Sequence, residues 1–168
     1  MRPPFETRLV GVSDAARIAS HRARMFQDMG LIPEPLFESY RAKCEIRIRE
    51  MLETGEYVGW VASPNNAPDQ IVGGAGVQLR RTLPHPAGKP HGEITIADGR
   101  HAIIINVFTE NEWRRRGVAR LLMNEIIAYA RRERLDRLVL HASDQGRALY
   151  DQMGFVLNNE MRFHGKLE

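Results

Sequence analysis

Cysteine is nearly missing from this 168-residue chain: Cys44 stands alone, which excludes an internal disulfide and fits a reducing compartment. No CxxC or HExxH occurs, and no other metal-ligand spacing. No apolar run approaches 18 residues, so no membrane helix is expected. The start, Met1-Arg2-Pro3-Pro4-Phe5-Glu6, lacks the apolar stretch of a signal peptide. Charge of one sign is scarce too: 24 basic against 21 acidic residues leaves +3, too little to imply nucleic-acid binding. What remains is the composition of a folded globular protein, with 43% apolar and 27% charged residues. The length suits a single domain over 1–168, expected in the cytoplasm, with a homodimer left open.

The most informative stretch runs from Ile103 to Met123. Ile103-Ile104-Ile105-Asn106-Val107-Phe108-Thr109 is a β-branched apolar run and reads as a buried strand. From Val118 onward apolar residues recur at helical spacing. Between them stand Arg114, Arg115 and Arg116, where a helix N-terminus already carries partial positive charge and unpaired N–H groups. Two readings fit. A bound anion would satisfy the helix end, with Gly117 and Ala119 letting it approach the backbone. Alternatively, this is a solvated basic turn capped by Asn111.

Elsewhere, Phe5 to Val10 reads as a strand and Ser13 as the cap of a helix that ends near Gly30. A second helix is expected from Pro35 to Glu53, stopped by Gly55. Tyr57 to Ala62 and Ile71 to Leu79 read as a hairpin, in which Gly73, Gly74 and Gly76 suggest bulges or close packing. Leu83 to Gly92, with Pro84, Pro86, Pro90, His85 and His91, reads as a loop over a site. Arg137 to Ala142 is a further strand, Ser143 to Met153 a helix, and Gly154 to Leu157 a last strand before Met161-Arg162-Phe163. The order β-α-α-β-β-β-α-β-α-β implies an α/β fold, a mixed sheet with helices on both faces.

Two motifs then carry a resemblance. Arg114-Arg115-Arg116-Gly117-Val118-Ala119 is similar to the Arg/Gln-x-x-Gly-x-Gly/Ala loop of the GNAT superfamily of acyl-CoA N-acetyltransferases. Leu149-Tyr150-Asp151-Gln152-Met153-Gly154-Phe155 resembles its Leu-Tyr-x-x-x-Gly-Phe signature. The resemblance implies the GNAT fold, whose sheet splays between two central parallel strands. It implies acetyl-CoA as co-substrate and no metal. The pyrophosphate would lie on the backbone of Arg115, Arg116, Gly117, Val118 and Ala119, with Arg120 and the arginine side chains adding charge. Val107, Phe108 and Thr109 would pair with the pantetheine through their main chains. Tyr150 would protonate the departing thiolate; its bland reading is a core tyrosine with its hydroxyl at the surface. Ser143 stands where the family often has asparagine, and could still donate to the pantetheine amides. Gly146 replaces a common alanine and would leave room for CoA.

The expected activity is acetyl transfer to a primary amine of a small molecule or peptide. The rival reading is an acyl-CoA-binding module without turnover. Glu110, Glu93 and His141 are candidate bases, with none singled out. The first helix, with His21, Arg22, Arg24, Met25, Phe26, Asp28 and Met29, is expected at the acceptor wall or, on the bland reading, as a solvated basic face. A basic nucleic-acid binder ranks low, because no stacking aromatics accompany the arginines.

Overall fold

The computed structural model describes residues 4–88, 92–161 and 164. The strands are β1 (Phe5–Leu9), β2 (Tyr57–Pro64), β3 (Gly73–Arg81), β4 (His85–Gly88), β5 (Ile94–Ala97), β6 (Arg100–Thr109) and β7 (Arg137–Leu140). The helices are α1 (Ala15–Asp28), α2 (Glu34–Thr54), α3 (Val118–Arg132) and α4 (Asp144–Gln152). Five strands form one sheet in the order β1-β2-β3-β6-β7. All neighbours are antiparallel except β6 and β7. None of the described helices is long and apolar enough to cross a membrane.

Two hydrophobic clusters hold the helices to opposite faces of the sheet. On one face Leu122, Met123 and Ile126 of α3 are fully buried against Trp60, Val77 and Ile104. Each such side chain contributes about 1.5–3 kcal/mol relative to exposure. On the other face Ala15, Ile18 and Ala19 of α1 meet Ile48 and Met51 of α2 and the Tyr57 ring.

The glycines of β2 and β3 make this packing possible. A Cβ on Gly76 would lie 2.3 Å from the Tyr57 ring, and one on Gly73 would lie 2.8 Å from Val118 Cγ1. The first is a slot for a fully buried tyrosine. The second lets the start of α3 press onto the sheet, which fixes where the preceding loop ends.

The bulge implied by those glycines lies in the partner strand. Gly74 pairs with Phe108 but Gly76 with Ile105, so Asn106 and Val107 share one place opposite β3. Ile105 and Asn106 therefore both face the α1–α2 layer, and Asn106 takes φ 61°, which asparagine tolerates better than most residues.

Several expectations need correction. Ser13 lies in a 3-10 turn, Val12–Asp14, and Asp14 occupies the N-cap of α1. The Asp14 carboxylate accepts from the Gly11 N–H at 2.8 Å and from the Arg8 guanidinium, which stabilises its ionised form. Asn111 opens another 3-10 turn, Asn111–Trp113, and does not cap α3, which has no side-chain cap. Part of the expected loop is a hairpin: β4 and β5 form their own two-stranded sheet. The prolines hid its first strand, whereas Ile94-Thr95-Ile96 carries ordinary strand character. His91 lies outside the described residues.

The last expected strand, Gly154 to Leu157, does not form. Gly154 turns to φ 89° and ends α4 in a Schellman motif. The Phe155 N–H donates to Tyr150 O at 3.0 Å and the Gly154 N–H to Asp151 O at 3.1 Å. Val156 and Leu157 then point into solvent, and β7 is left at the edge of the five strands. Of the final apolar group, Met161 is exposed, while Arg162 and Phe163 lie outside the described residues.

Candidate active site

The parallel pairing of β6 with β7 stops at Ile104 and Leu140. Beyond it β6 continues to Thr109, bonded only to β3. From Ile105 onward its other edge lacks a strand partner among the described residues. Unpaired main-chain groups need partners, and an extended ligand can supply them as an added strand would.

That edge lines a cleft of about 1070 Å³. One wall is α4 from Gln145 to Tyr150, another the loop into α3, and a third the end of α1. The volume exceeds most drug-sized sites and suits a long cofactor together with a second molecule.

The loop into α3 is shaped by two left-handed residues, Arg115 at φ 63° and Gly117 at φ 87°. Gly117 is the N-cap of α3, and a Cβ built there would meet no atom within 4 Å. The open space faces an uncapped helix end. These features fit a pyrophosphate. The arginines divide their work. Arg115 and Arg120 line the cleft, and Arg120 donates to Gln152 Oε1 at 2.5 Å. Arg114 instead ties the cleft together: its Nε donates to Thr109 O at 3.0 Å and its Nη2 to Asp28 Oδ2 at 2.5 Å. Arg116 is the one predicted cofactor-binding residue that does not line the cleft, and it stacks on Trp113 at 5.1 Å. Val107, Phe108, Thr109, Gly117, Val118, Ala119, Ser143 and Tyr150 all line it. Thr109 thus offers a carbonyl already engaged by Arg114. Phe108 is 4% exposed and packs its ring beside His21.

Ser143 is the N-cap of α4, where Oγ accepts from the Gly146 N–H at 3.3 Å. Its own O–H remains available as a donor.

Tyr150 sits about two turns later, with its ring laid back over Gly146. A Cβ on Gly146 would lie 2.7 Å from Tyr150 Cε2 and 3.2 Å from its oxygen. The room at position 146 is therefore taken by the tyrosine, where the sequence suggested CoA. The Schellman motif also brings Phe155 edge-on to the ring, with centroids 6.1 Å apart. The Leu-Tyr-x-x-x-Gly-Phe pattern is thus a helix stop that also positions its tyrosine. Burial pushes the Tyr150 hydroxyl above the usual tyrosine range, so it holds its proton at neutral pH.

Behind β6 lies a polar group that sequence reasoning did not assemble. Arg22 Nη1 donates to Asn106 Oδ1 at 2.7 Å, and Asn106 Nδ2 lies 3.5 Å from the Tyr57 hydroxyl. Burial pushes that hydroxyl up to about 12. The signal was a lone asparagine inside an apolar strand.

His21 is 2% exposed, and its Nε2 has no hydrogen-bond partner. Glu110 Oε1 lies 3.4 Å away, but Glu110 is engaged by Arg24 at 2.6 Å. Burial, then the charges of Arg17 and Arg24, hold His21 down at about 4, so it is neutral at pH 7.

Of the candidate bases only His141 lines the cleft, 3.1 Å from Glu160. No cluster of three or more His, Cys, Asp or Glu side chains is placed for a metal among the described residues.

The acetyltransferase (GNAT) family model matches residues 23–155. A GCN5-related N-acetyltransferase from Ralstonia eutropha JMP134 superposes with a TM-score of 0.79 at 25% identity, over 95% of this chain and 97% of that one. A predicted acetyltransferase with acetyl-CoA from Clostridium acetobutylicum reaches 0.78 at 23% identity, over 96% of each chain. An aminoglycoside acetyltransferase from an uncultured soil metagenomic sample shares the fold with a TM-score of 0.67 at 14% identity, over 99% of each chain. No curated protein matches the chain. With a family model covering most of its length, a splayed sheet and an uncapped helix end at the cleft, this chain belongs to the GNAT acetyltransferase family and is an acetyl-CoA-dependent acyltransferase.

Proposed function

We propose that the protein transfers the acetyl group of acetyl-CoA directly to a primary amine, with Tyr150 as the general acid. The observation that carries this reading is the seat of Tyr150, packed on Gly146 and against Phe155 with its ring in the cleft.

The backbone of Arg115 to Ala119 binds the pyrophosphate, and the free edge of β6 from Ile105 to Thr109 pairs with the pantetheine. Ser143 donates its hydroxyl proton to a pantetheine amide. A main-chain N–H at the bulge, beside Val107, polarises the thioester carbonyl where negative charge develops. The amine nitrogen adds to the carbonyl carbon, the carbon–sulfur bond breaks, and the sulfur takes the Tyr150 proton. The nitrogen loses one proton to solvent, which balances the step. Moving a proton from a phenol near 10 to a thiolate near 8.5 is uphill by roughly 2 kcal/mol or more. That is small against a reaction barrier and falls on the side that keeps the donor loaded. Acyl transfer passes straight to the amine, so no nucleophilic cysteine is required. Cys44, on α2, is a free thiol that does not line the cleft.

The test is release of free thiol from acetyl-CoA over a panel of amines. Tyr150→Phe should lower kcat by about 10²–10⁴-fold, the usual worth of a general acid, with acetyl-CoA affinity unchanged within threefold. Unchanged turnover would make Tyr150 a packing residue.

A further inference from the structure

The arginines around the acceptor end of the cleft differ in one respect. Arg24 lies 2.6 Å from a Glu110 oxygen, and Arg114 lies 2.5 Å from Asp28. Their charges are met within the protein. Arg22 also faces the cleft, yet no carboxylate pairs with it among the described residues. Its partners are all neutral: the Asn106 amide oxygen at 2.7 Å, the Tyr40 hydroxyl, and the Phe26 ring 4.9 Å beneath the guanidinium.

A guanidinium has five donors in a fixed fork. Here the asparagine oxygen holds one nitrogen, and the aromatic ring supports the plane from below. That fixes the group without neutralising it. Asn106 can serve as the anchor because the β6 bulge turns it onto the α1 face at φ 61°. The same bulge carries Val107, beside which the acyl carbonyl is placed in the reading above. The free charge of Arg22 is therefore one side chain away from the site of acyl transfer.

Beside the Asp28–Arg114 pair, the rest of this end is lined by apolar side chains. Met25 and Phe26 of the same helix and Met29 at its C-cap line the cleft, and Leu31 follows them, 63% exposed. A cation without a counter-ion beside an apolar wall fits an amine that carries a carboxylate and a compact apolar body. We propose that the acceptor is an apolar free amino acid, and that Arg22 sets this specificity by binding its carboxylate. The inference rests on the acetyl-transfer reading.

The test compares L-leucine, L-methionine and L-phenylalanine with their amides and with the matching decarboxylated amines, in the thiol-release assay. A charge-assisted hydrogen bond to a fixed guanidinium gives about a ten- to hundredfold preference. kcat/KM for the acids should exceed that for amides and plain amines by at least tenfold. Arg22→Gln should remove that preference through KM, lowering kcat/KM for the acids at least tenfold more than for the amides, and keep thermal stabilisation by acetyl-CoA. Equal turnover of acids and amides by the wild type, or an equal loss on both in Arg22→Gln, overturns the proposal. A binding arm separates this outcome from failure of acetyl transfer itself. With CoA present, N-acetyl-leucine should raise the melting temperature of the wild type and not of Arg22→Gln, while N-acetyl-leucinamide should raise neither. Should no amine release thiol, the transfer reading fails, and the binding arm still decides for or against Arg22 as a carboxylate site.

Discussion

Replacing Gly146 with alanine should separate stability from activity. In the first turns of α4 the substitution removes a residue that weakens helices, which favours folding by about 0.5–1 kcal/mol. The new methyl would stand 2.7 Å from Tyr150 Cε2, where carbon contacts normally begin at about 3.5 Å. The ring must retreat by close to 1 Å. A proton donor displaced by about 1 Å loses on the order of 10²-fold in rate. Gly146→Ala should therefore melt no lower than the wild type, and about 2 °C higher if the helix gain is realised. Its kcat should fall by about 10- to 100-fold, with acetyl-CoA affinity held within threefold. Calorimetry and the thiol-release assay on the same sample check this. Full activity in the Gly146→Ala variant would refute the reasoning, since the tyrosine would then need no defined seat.

Two other perturbations follow from the geometry. Gly117→Leu places a β-carbon at φ 87°, costing about 1–2 kcal/mol, and fills the space in front of α3; acetyl-CoA affinity should fall at least tenfold by calorimetric titration, and unchanged affinity would remove the loop from the binding site. His21 is held neutral at about 4 against an unfolded value near 6.5, so the unfolded chain binds more protons between these limits and stability falls as the pH drops through that window. The loss approaches roughly 3 kcal/mol by pH 4. Denaturant unfolding of the wild type and His21→Gln at pH 7.5, 6 and 4.5 should show the extra acid sensitivity only in the wild type, and parallel curves would contradict it.

The strand-loop-helix from Ile103 to Met123 was legible because its signals are local: a β-branched run, a glycine that needs φ 87°, and an apolar helical stripe. So was the bulge, whose glycines announced it from the neighbouring strand. The partners were not legible. Arg22 meets Asn106 across 84 positions, and Arg114 meets Asp28 across 86, so nothing in either neighbourhood marks the pairing. Three prolines concealed the β4 strand. Gly154-Phe155-Val156-Leu157 misled in the opposite direction, since its apolar residues follow a glycine whose conformation folds the chain back onto α4. Gly146 stands out in the sequence, but local reasoning gives the vacated space to the cofactor when a side chain four residues on already fills it.

The most direct test of the account is amide hydrogen exchange with and without saturating acetyl-CoA. Protection should rise at the free edge of β6, residues 105–109, and at the start of α3, residues 115–121, while the β4–β5 hairpin stays unchanged. Binding that leaves both segments unprotected would contradict the assignment of this cleft to the acyl donor.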